Sequence, residues 1–209
     1  MKIDFVSDIA CPWCAIGLAS LEQALARIGD DIPVAITFQP FELNPDMPPE
    51  GEDLHAHLGR KYGASPAQLE ASHAALRERG AALGFAFGER TRIWNTFDGH
   101  RLLHWAALEG RQRELKHALL TSHFTRCENP GDPEVLVRCA REAGLDPQAA
   151  REVVLSGRYA AEVRAAEAHW QRLGIRAVPS VVIDGRHLVQ GGQPPEVFEQ
   201  ALRRIAQGA

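Results

Sequence analysis

Apolar and polar positions alternate from Lys2 to Ser7, with Ile3 and Phe5 on one face, and this period of two predicts a short strand. Beyond Cys11 the period changes. Leu18, Leu21, Leu25 and Ile28 recur at the spacing of a helix buried along one side, and Gly29-Asp30-Asp31 marks its end. Val34, Ile36 and Phe38 alternate again as a second strand that closes at Pro40. So short a strand–helix–strand unit predicts a parallel pair joined by a right-handed crossover. Prolines between Leu43 and Pro49 predict a loop. From Glu52 to about Leu173 the chain is rich in Ala, Glu, Arg and Leu and predicts one helix after another. The last of these is the clearest: Tyr159, Val163, Ala166, Trp170 and Leu173 form one stripe, Trp170 reads as core, and Gly174 stands ready to cap the end. Val181-Val182-Ile183 then predicts a strand, Asp184-Gly185 a two-residue hairpin turn and His187-Leu188-Val189 the return strand. Pro194-Pro195 opens a terminal helix with Val197, Phe198, Ala201, Leu202 and Ile205 on one face.

Composition narrows the classes of function. An apolar content of 45% with 24% charged residues is that of a chain able to bury a core. The net charge of −4 gives no general attraction to nucleic acid or to anionic lipid, so neither is expected as a partner. No apolar stretch approaches the length of a membrane span. The opening Met1-Lys2-Ile3-Asp4-Phe5-Val6 lacks the basic and apolar segments of a secretory leader, so a cytoplasmic location is expected. Four cysteines in such a chain do not suggest a secreted disulfide scaffold. A paired, chemically active use of two of them is the better expectation.

That pair is Cys11-Pro12-Trp13-Cys14. A C-x-x-C alone also suits metal binding; one set between a strand and the following helix points to redox chemistry. Cys11 falls at the helix start, where unpaired N–H groups and the macrodipole favour negative charge. It is expected to be the exposed attacking thiolate. Cys14, four residues before Leu18, is expected to face the interior and to resolve the mixed disulfide that Cys11 forms. Pro12 and Trp13, between them, tune the redox poise, and Trp13 is either a partly exposed aromatic contact or a substrate-facing one. Val178-Pro179-Ser180 precedes the later strand. A cis Val178–Pro179 bond would leave the Val178 backbone free to pair with an extended ligand, although most X–Pro bonds are trans.

Other residues admit plainer uses. Cys139 follows Val135 by four on an apolar helical face and reads as buried and structural, while Cys127 sits near a helix end. A second redox pair is the alternative for these two. His100 and His104 share a helix face but lack a third ligand at meaningful spacing, so no metal site is expected; either could line a cleft. Asn95 reads as a ligand-contacting amide or as part of a helix cap with Thr96 or Asp98. Arg176 reads as meeting an acidic ligand or as solvated.

The chain resembles the DsbA superfamily and, within it, the FrnE-like oxidoreductases. The matching segments are Asp8-Ile9-Ala10-Cys11-Pro12-Trp13-Cys14, Phe41-Glu42-Leu43-Asn44-Pro45, Asn95-Thr96-Phe97-Asp98-Gly99-His100-Arg101-Leu102, Val178-Pro179-Ser180 and Gly191-Gly192-Gln193-Pro194. Ala15 departs, standing where many FrnE-like sequences carry Tyr. The resemblance implies an α/β thioredoxin fold interrupted by an inserted all-helical domain. Residues 1–45 and 174–209 would form the discontinuous thioredoxin-like part and 46–173 the insert, with a cis Pro179 and an active site facing the cleft between them. It implies thiol–disulfide exchange on a protein or small-thiol disulfide, with Cys11 and Cys14 catalytic and Pro12, Trp13, Asn95, Val178 and Pro179 beside the substrate. No cofactor is implied beyond glutathione as a co-substrate. The kappa-class glutathione transferases and 2-hydroxychromene-2-carboxylate isomerases share the superfamily but carry serine where Cys11 stands. A glutathione-dependent isomerase or transferase is therefore the rival expectation, and a chaperone using the helical cleft is a third. Monomer and homodimer are equally compatible with the sequence.

Overall fold

A computed structural model describes residues 1–208. Its first unit is β1 (Lys2–Ser7), α1 (Pro12–Ile28) and β2 (Ala35–Pro40), with β1 and β2 parallel from Lys2↔Ala35 to Ser7↔Pro40. The closing unit is β5 (Ser180–Ile183), β6 (His187–Gln190) and α9 (Pro195–Ala206). With Ile3 opposite Ile183, β5 runs antiparallel to β1, and the four strands take the order β2-β1-β5-β6. The expected hairpin forms with a loop one residue longer than the Asp184-Gly185 turn read from sequence: Ile183 pairs with His187, and Asp184, Gly185 and Arg186 connect them, with Asp184 and Gly185 at positive φ, 49° and 67°.

Between the two units lie β3 (Glu52–Asp53), α2 (Leu54–Tyr62), α3 (Pro66–Ala82), β4 (Arg92–Ile93), α4 (Phe97–Leu108), α5 (Gln112–Leu120), α6 (Pro133–Glu142), α7 (Pro147–Ser156) and α8 (Ala160–Arg172). A π-helical turn, Thr121–Thr125, extends α5. This stretch is helical as the pattern predicts, with one exception: β3 and β4 pair as a two-residue ladder, too short to show a period of two.

Two large cores and two smaller clusters hold the described residues together. Ile3, Phe5, Leu18, Leu21, Phe38, Val181, Phe198 and Leu202 fill the space between the sheet and the pair α1 and α9. Leu102, Leu115, Leu119, Leu136, Val153 and their neighbours fill the helical core. The cores interpenetrate, since Leu120 and Phe124 of the helical region enter the first and Ile9 enters the second. The opposite face of β1 is also covered, with Val6 packing against Phe41, Trp170 and Ile175. So β1 is buried on both faces. Asp4, on that second face, accepts a hydrogen bond from Gln39 Nε2 at 2.7 Å.

Two apolar positions depart from the stripes drawn from sequence. Leu173 is 61% exposed, because α8 ends at Arg172 and Gly174, at φ 90°, turns the chain away. Val197 lies in the first turn of α9 and is 38% exposed, while Phe198 and Leu202 carry the packing.

Candidate active site

β1 ends at Ser7 and the chain turns through Asp8-Ile9-Ala10 before α1 begins. Asp8 fastens that turn. Its Oδ1 accepts from Ala10 N–H at 3.1 Å, Thr96 Oγ1–H at 2.8 Å and His100 Nε2 at 3.4 Å, and its Oδ2 accepts from Leu43 N–H at 2.7 Å. Burial raises the Asp8 carboxyl. The His100 side chain, the Leu43 N–H and the Thr96 hydroxyl outweigh that rise and hold the group below the ordinary carboxylate range. One buried anion thus ties the turn before Cys11 to the loop after β2 and to the start of α4.

Cys11 is the N-cap of α1, with extended backbone, and Pro12 takes the first helical position, where a missing N–H costs nothing. Cys14 N–H donates to Cys11 O at 3.0 Å, which winds the two cysteines into one turn. Both are free thiols. Cys14 is fully buried, as expected. Its thiol is pushed well above the ordinary range, first by burial and then by its hydrogen bond to Cys11 and the nearby Cys11 charge.

Cys11 corrects the sequence expectation of an exposed thiol, for it is only 4% exposed. The cover comes from the far end of the chain. The Val178–Pro179 bond is cis, and Cys11 Sγ–H donates to Val178 O at 3.6 Å. Among the described residues Val178 N–H has no hydrogen-bond partner. Gly17 makes the close approach possible, since a Cβ added there would stand 3.0 Å from Pro179 Cγ. Trp13 is 40% exposed, with the Arg79 guanidinium 5.4 Å from its ring centre, and Gly192 packs behind it.

A cleft of about 260 Å3 runs from Pro12 to the helical region, with Leu54, His73, Arg77, Phe87 and Arg90 along its walls. Arg90 is held in place. It lies 4.5 Å over the Phe124 ring and its Nη1–H donates to His123 Nε2 at 2.8 Å. His123 is fully buried, and burial with the Arg90 charge lowers its pKa to about 3, so it is neutral. Its Nδ1–H then donates to Glu128 O at 3.2 Å, leaving Nε2 to accept from Arg90. Burial lowers Arg90 to about 10, which leaves it a cation at neutral pH. The cleft beside the thiols therefore holds a fixed cation, Arg90, along with the Arg77–Glu70 ion pair and Glu89 on its walls.

Asn95 stands before α4, and each end of its amide makes one hydrogen bond within the chain. Oδ1 accepts from Phe97 N–H at 2.8 Å and Nδ2 donates to Met47 O at 3.3 Å. Cys139 is fully buried and donates to Ala118 O at 3.7 Å. Cys127 is half-buried with φ 60°. His104 lies 5.1 Å from the Tyr159 ring, and Arg176 donates to the Gln171 and Ile175 carbonyls. Asp8, Arg90, His123 and Lys116 were missed from sequence. Lys116 alone left a signal, a charged residue three and four positions before Leu119 and Leu120 and so on their helix face.

A mixed four-stranded sheet, a dithiol at the first helix start and a proline loop over it define a thioredoxin-fold protein with a helical insertion. The chain belongs to the DSBA-like thioredoxin domain family, whose model matches residues 2–203. It is 38% identical to a probable DsbA oxidoreductase, SCO1869, from Streptomyces coelicolor, with a TM-score of 0.92 over 100% of this chain and 91% of that one. It is also 26% identical to the uncharacterized protein YwbO of Bacillus subtilis (strain 168), over 97% of this chain and 96% of the relative. Likeness of fold extends to a 2-hydroxychromene-2-carboxylate isomerase, at 14% identity and TM-score 0.73, covering 100% and 97% of the two chains. It extends as well to the cytosolic disulfide reductase DsbM from Pseudomonas aeruginosa, solved with GSH, at 17% identity and TM-score 0.67 over 99% and 100%. Among the described residues no helix is long and apolar enough to cross a membrane.

Proposed function

We propose that the chain catalyses thiol–disulfide exchange through Cys11 and Cys14. The observation that carries this is the asymmetry of the two thiols: Cys11 caps α1 beside an open cleft, and Cys14 lies one turn on with no exposed surface. Cys11, as thiolate, attacks one sulfur of a partner disulfide, expels the other as a thiolate and becomes the mixed disulfide. Cys14 then attacks Cys11 Sγ, and the partner leaves reduced while Cys11–Cys14 is oxidised. Run backwards, the same steps oxidise a dithiol.

The partner is a protein or small-molecule disulfide. Val178 N–H, unpaired, and the carbonyl already turned to Cys11 suit an extended stretch of peptide, with Pro12, Trp13 and Pro179 as the apolar surround. Asn95 keeps one acceptor site on Oδ1 and one donor on Nδ2 for a partner beyond its two internal bonds. The Arg90 charge suits a carboxylate-bearing thiol, and glutathione fits that description, as the DsbM structure with GSH suggests for a protein of this fold. A cytoplasmic setting accords with that reductase.

Replacement of the nucleophile tests the proposal. Cys11→Ser is expected to reduce both dithiol-dependent reductase and dithiol oxidase activity to the rate of buffer alone, with the melting temperature little changed. Activity retained by Cys11→Ser would exclude this chemistry.

A further inference from the structure

Helices α2 and α3 are fastened to the rest of the chain at two points near the redox centre. Lys61, near the end of α2, donates from Nζ to Leu43 O and to Asn44 Oδ1, both at 2.6 Å. Those residues belong to the loop after β2, whose Leu43 N–H Asp8 also holds. Arg79 of α3 reaches the turn between β6 and α9, where its Nη2–H donates to Gly192 O. The same guanidinium lies 5.4 Å from the centre of the Trp13 ring. Gly192 in turn packs on Trp13, since a Cβ added to it would stand 3.2 Å from Trp13 Cε3. Its neighbour Gly191 donates from N–H to Pro179 O at 2.8 Å. Arg79 thus links the helical region to Trp13 and to the turn beside Pro179.

The sheet topology puts the two fastenings on opposite flanks of the thiols. In the order β2-β1-β5-β6, β2 and β6 both run in the direction of β1, and β5 runs against it. The loop after β2, Cys11 after β1, Val178 before β5 and the turn after β6 therefore share one end of the sheet. Cys11 and Val178 sit in the middle, with the Lys61 contact at one edge and the Arg79 contact at the other. Between the edges remains the cleft of about 260 Å3, where Pro12 faces Leu54 of α2 and Leu76 of α3. Cys11 itself keeps only 4% exposure. A folded partner brings chain on both sides of its cysteine and needs room at both flanks. A small disulfide needs one mouth.

We propose that Arg79 determines substrate specificity: by holding α3 against Trp13 and Gly192 it admits small disulfides to Cys11 and excludes those of folded proteins. The proposal rests on the disulfide-exchange reading above and narrows its substrate to the disulfides of small thiols. The stretch that pairs with Val178 is then no longer than a short peptide. Arg79 takes no part at sulfur. Cys11 Sγ bonds to one sulfur of the substrate while the other leaves as thiolate with its electron pair. Cys14 then bonds to Cys11 Sγ and expels the first sulfur as thiolate, so the dithiol supplies both electrons and its two protons pass to the released thiols or to water. Arginine suits the fastening, because its planar fork can donate to a carbonyl while lying near an aromatic ring. The residues that seat α3 in the interior are others, Leu69, Leu76 and Gly80. Loss of the Arg79 side chain therefore frees one edge of the cover and leaves its buried face in place.

The test mixes the full reduced chain with glutathione disulfide or with insulin and follows oxidation of Cys11 and Cys14 by acid quenching and peptide mass mapping. Each rate is divided by that of dithiothreitol with the same disulfide, which removes differences in intrinsic reactivity. The parent is expected to react with glutathione disulfide roughly a hundredfold faster than with insulin on this scale. In Arg79→Ala the insulin rate is expected to rise about tenfold, and the glutathione disulfide rate to stay within about threefold of the parent. Equal relative rates in the parent overturn the proposal, as does an Arg79→Ala variant that moves both rates together or neither. A parent oxidised by neither substrate would instead overturn the exchange reading itself. Should Arg79→Ala not fold, the unaltered chain decides with disulfide-linked peptides of increasing length on both sides of the cysteine. Its relative rate is expected to fall as the flanks lengthen, and a rate independent of length overturns the proposal.

Discussion

Cys14→Ser is expected to turn the protein into a trap that holds one partner per chain as a mixed disulfide on Cys11. Cys11 still attacks, because it keeps its place at the start of α1 and beside Val178 O, and a serine hydroxyl can replace the Cys14 thiol as its hydrogen-bond neighbour. The resolving step is lost. Turnover is expected to fall by about a hundredfold or more, since an external thiol must replace an intramolecular one. Mass spectrometry of the non-reduced protein should find the adduct on Cys11, and dithiothreitol should release it. A glutathione-dependent isomerase of similar fold would behave differently, for Cys14 has no part in positioning glutathione there. Cys14→Ser would then keep turnover on an aromatic substrate. Unimpaired cycling with disulfide substrates would contradict the assignment of Cys14 as the resolving thiol.

The second large effect concerns stability. Arg101 is 3% exposed and joins α4 to the end of α7, donating to Val153 O at 2.7 Å, Val154 O at 2.7 Å and Arg158 O at 2.8 Å. Val153 and Val154 lie in the last turn of α7, where carbonyls lack helical partners and the dipole favours a cation. Asp98, one turn before Arg101, accepts from Nε at 3.0 Å and Nη2 at 2.9 Å and so orients the fork. Arg101→Met keeps the apolar stem and leaves three carbonyls without a donor. The expected loss is about 3–5 kcal/mol of unfolding free energy, measured by urea denaturation. Arg101→Lys should recover only part of it, because one ammonium cannot span the same three carbonyls. A loss of under about 1 kcal/mol would show that water or a repacked α7 end supplies the missing donors.

What the sequence discloses and what it hides divide along contact distance. Strand β1, helix α1, the Asp184-Gly185 hairpin and α9 are written in local periods and turn residues, and each forms close to where it is expected. Cys14 is legible for the same reason, being set four residues before Leu18 on a buried stripe. The burial of Cys11 is not, because its cover is Val178, 167 residues away. Nor is the second buried face of β1, which depends on Trp170 of a helix late in the chain. The β3–β4 ladder is too short for any period, and Asp8 looks like an ordinary turn residue until Leu43, Thr96 and His100 converge on it. Arg101 falls inside a segment that matches the family, yet its work is to hold the end of α7. Lys116 could have been suspected from its apolar neighbours, but only the fold shows that no partner meets it.

The most direct test of the central claim is equilibration of the chain in glutathione redox buffers, followed by acid quenching and intact mass measurement. Exchange through Cys11 and Cys14 predicts a single two-electron transition from dithiol to an internal Cys11–Cys14 disulfide, reversible and absent in Cys11→Ser. A stable glutathione adduct on Cys11 beside an intact Cys14 thiol across the whole range of buffers would contradict it.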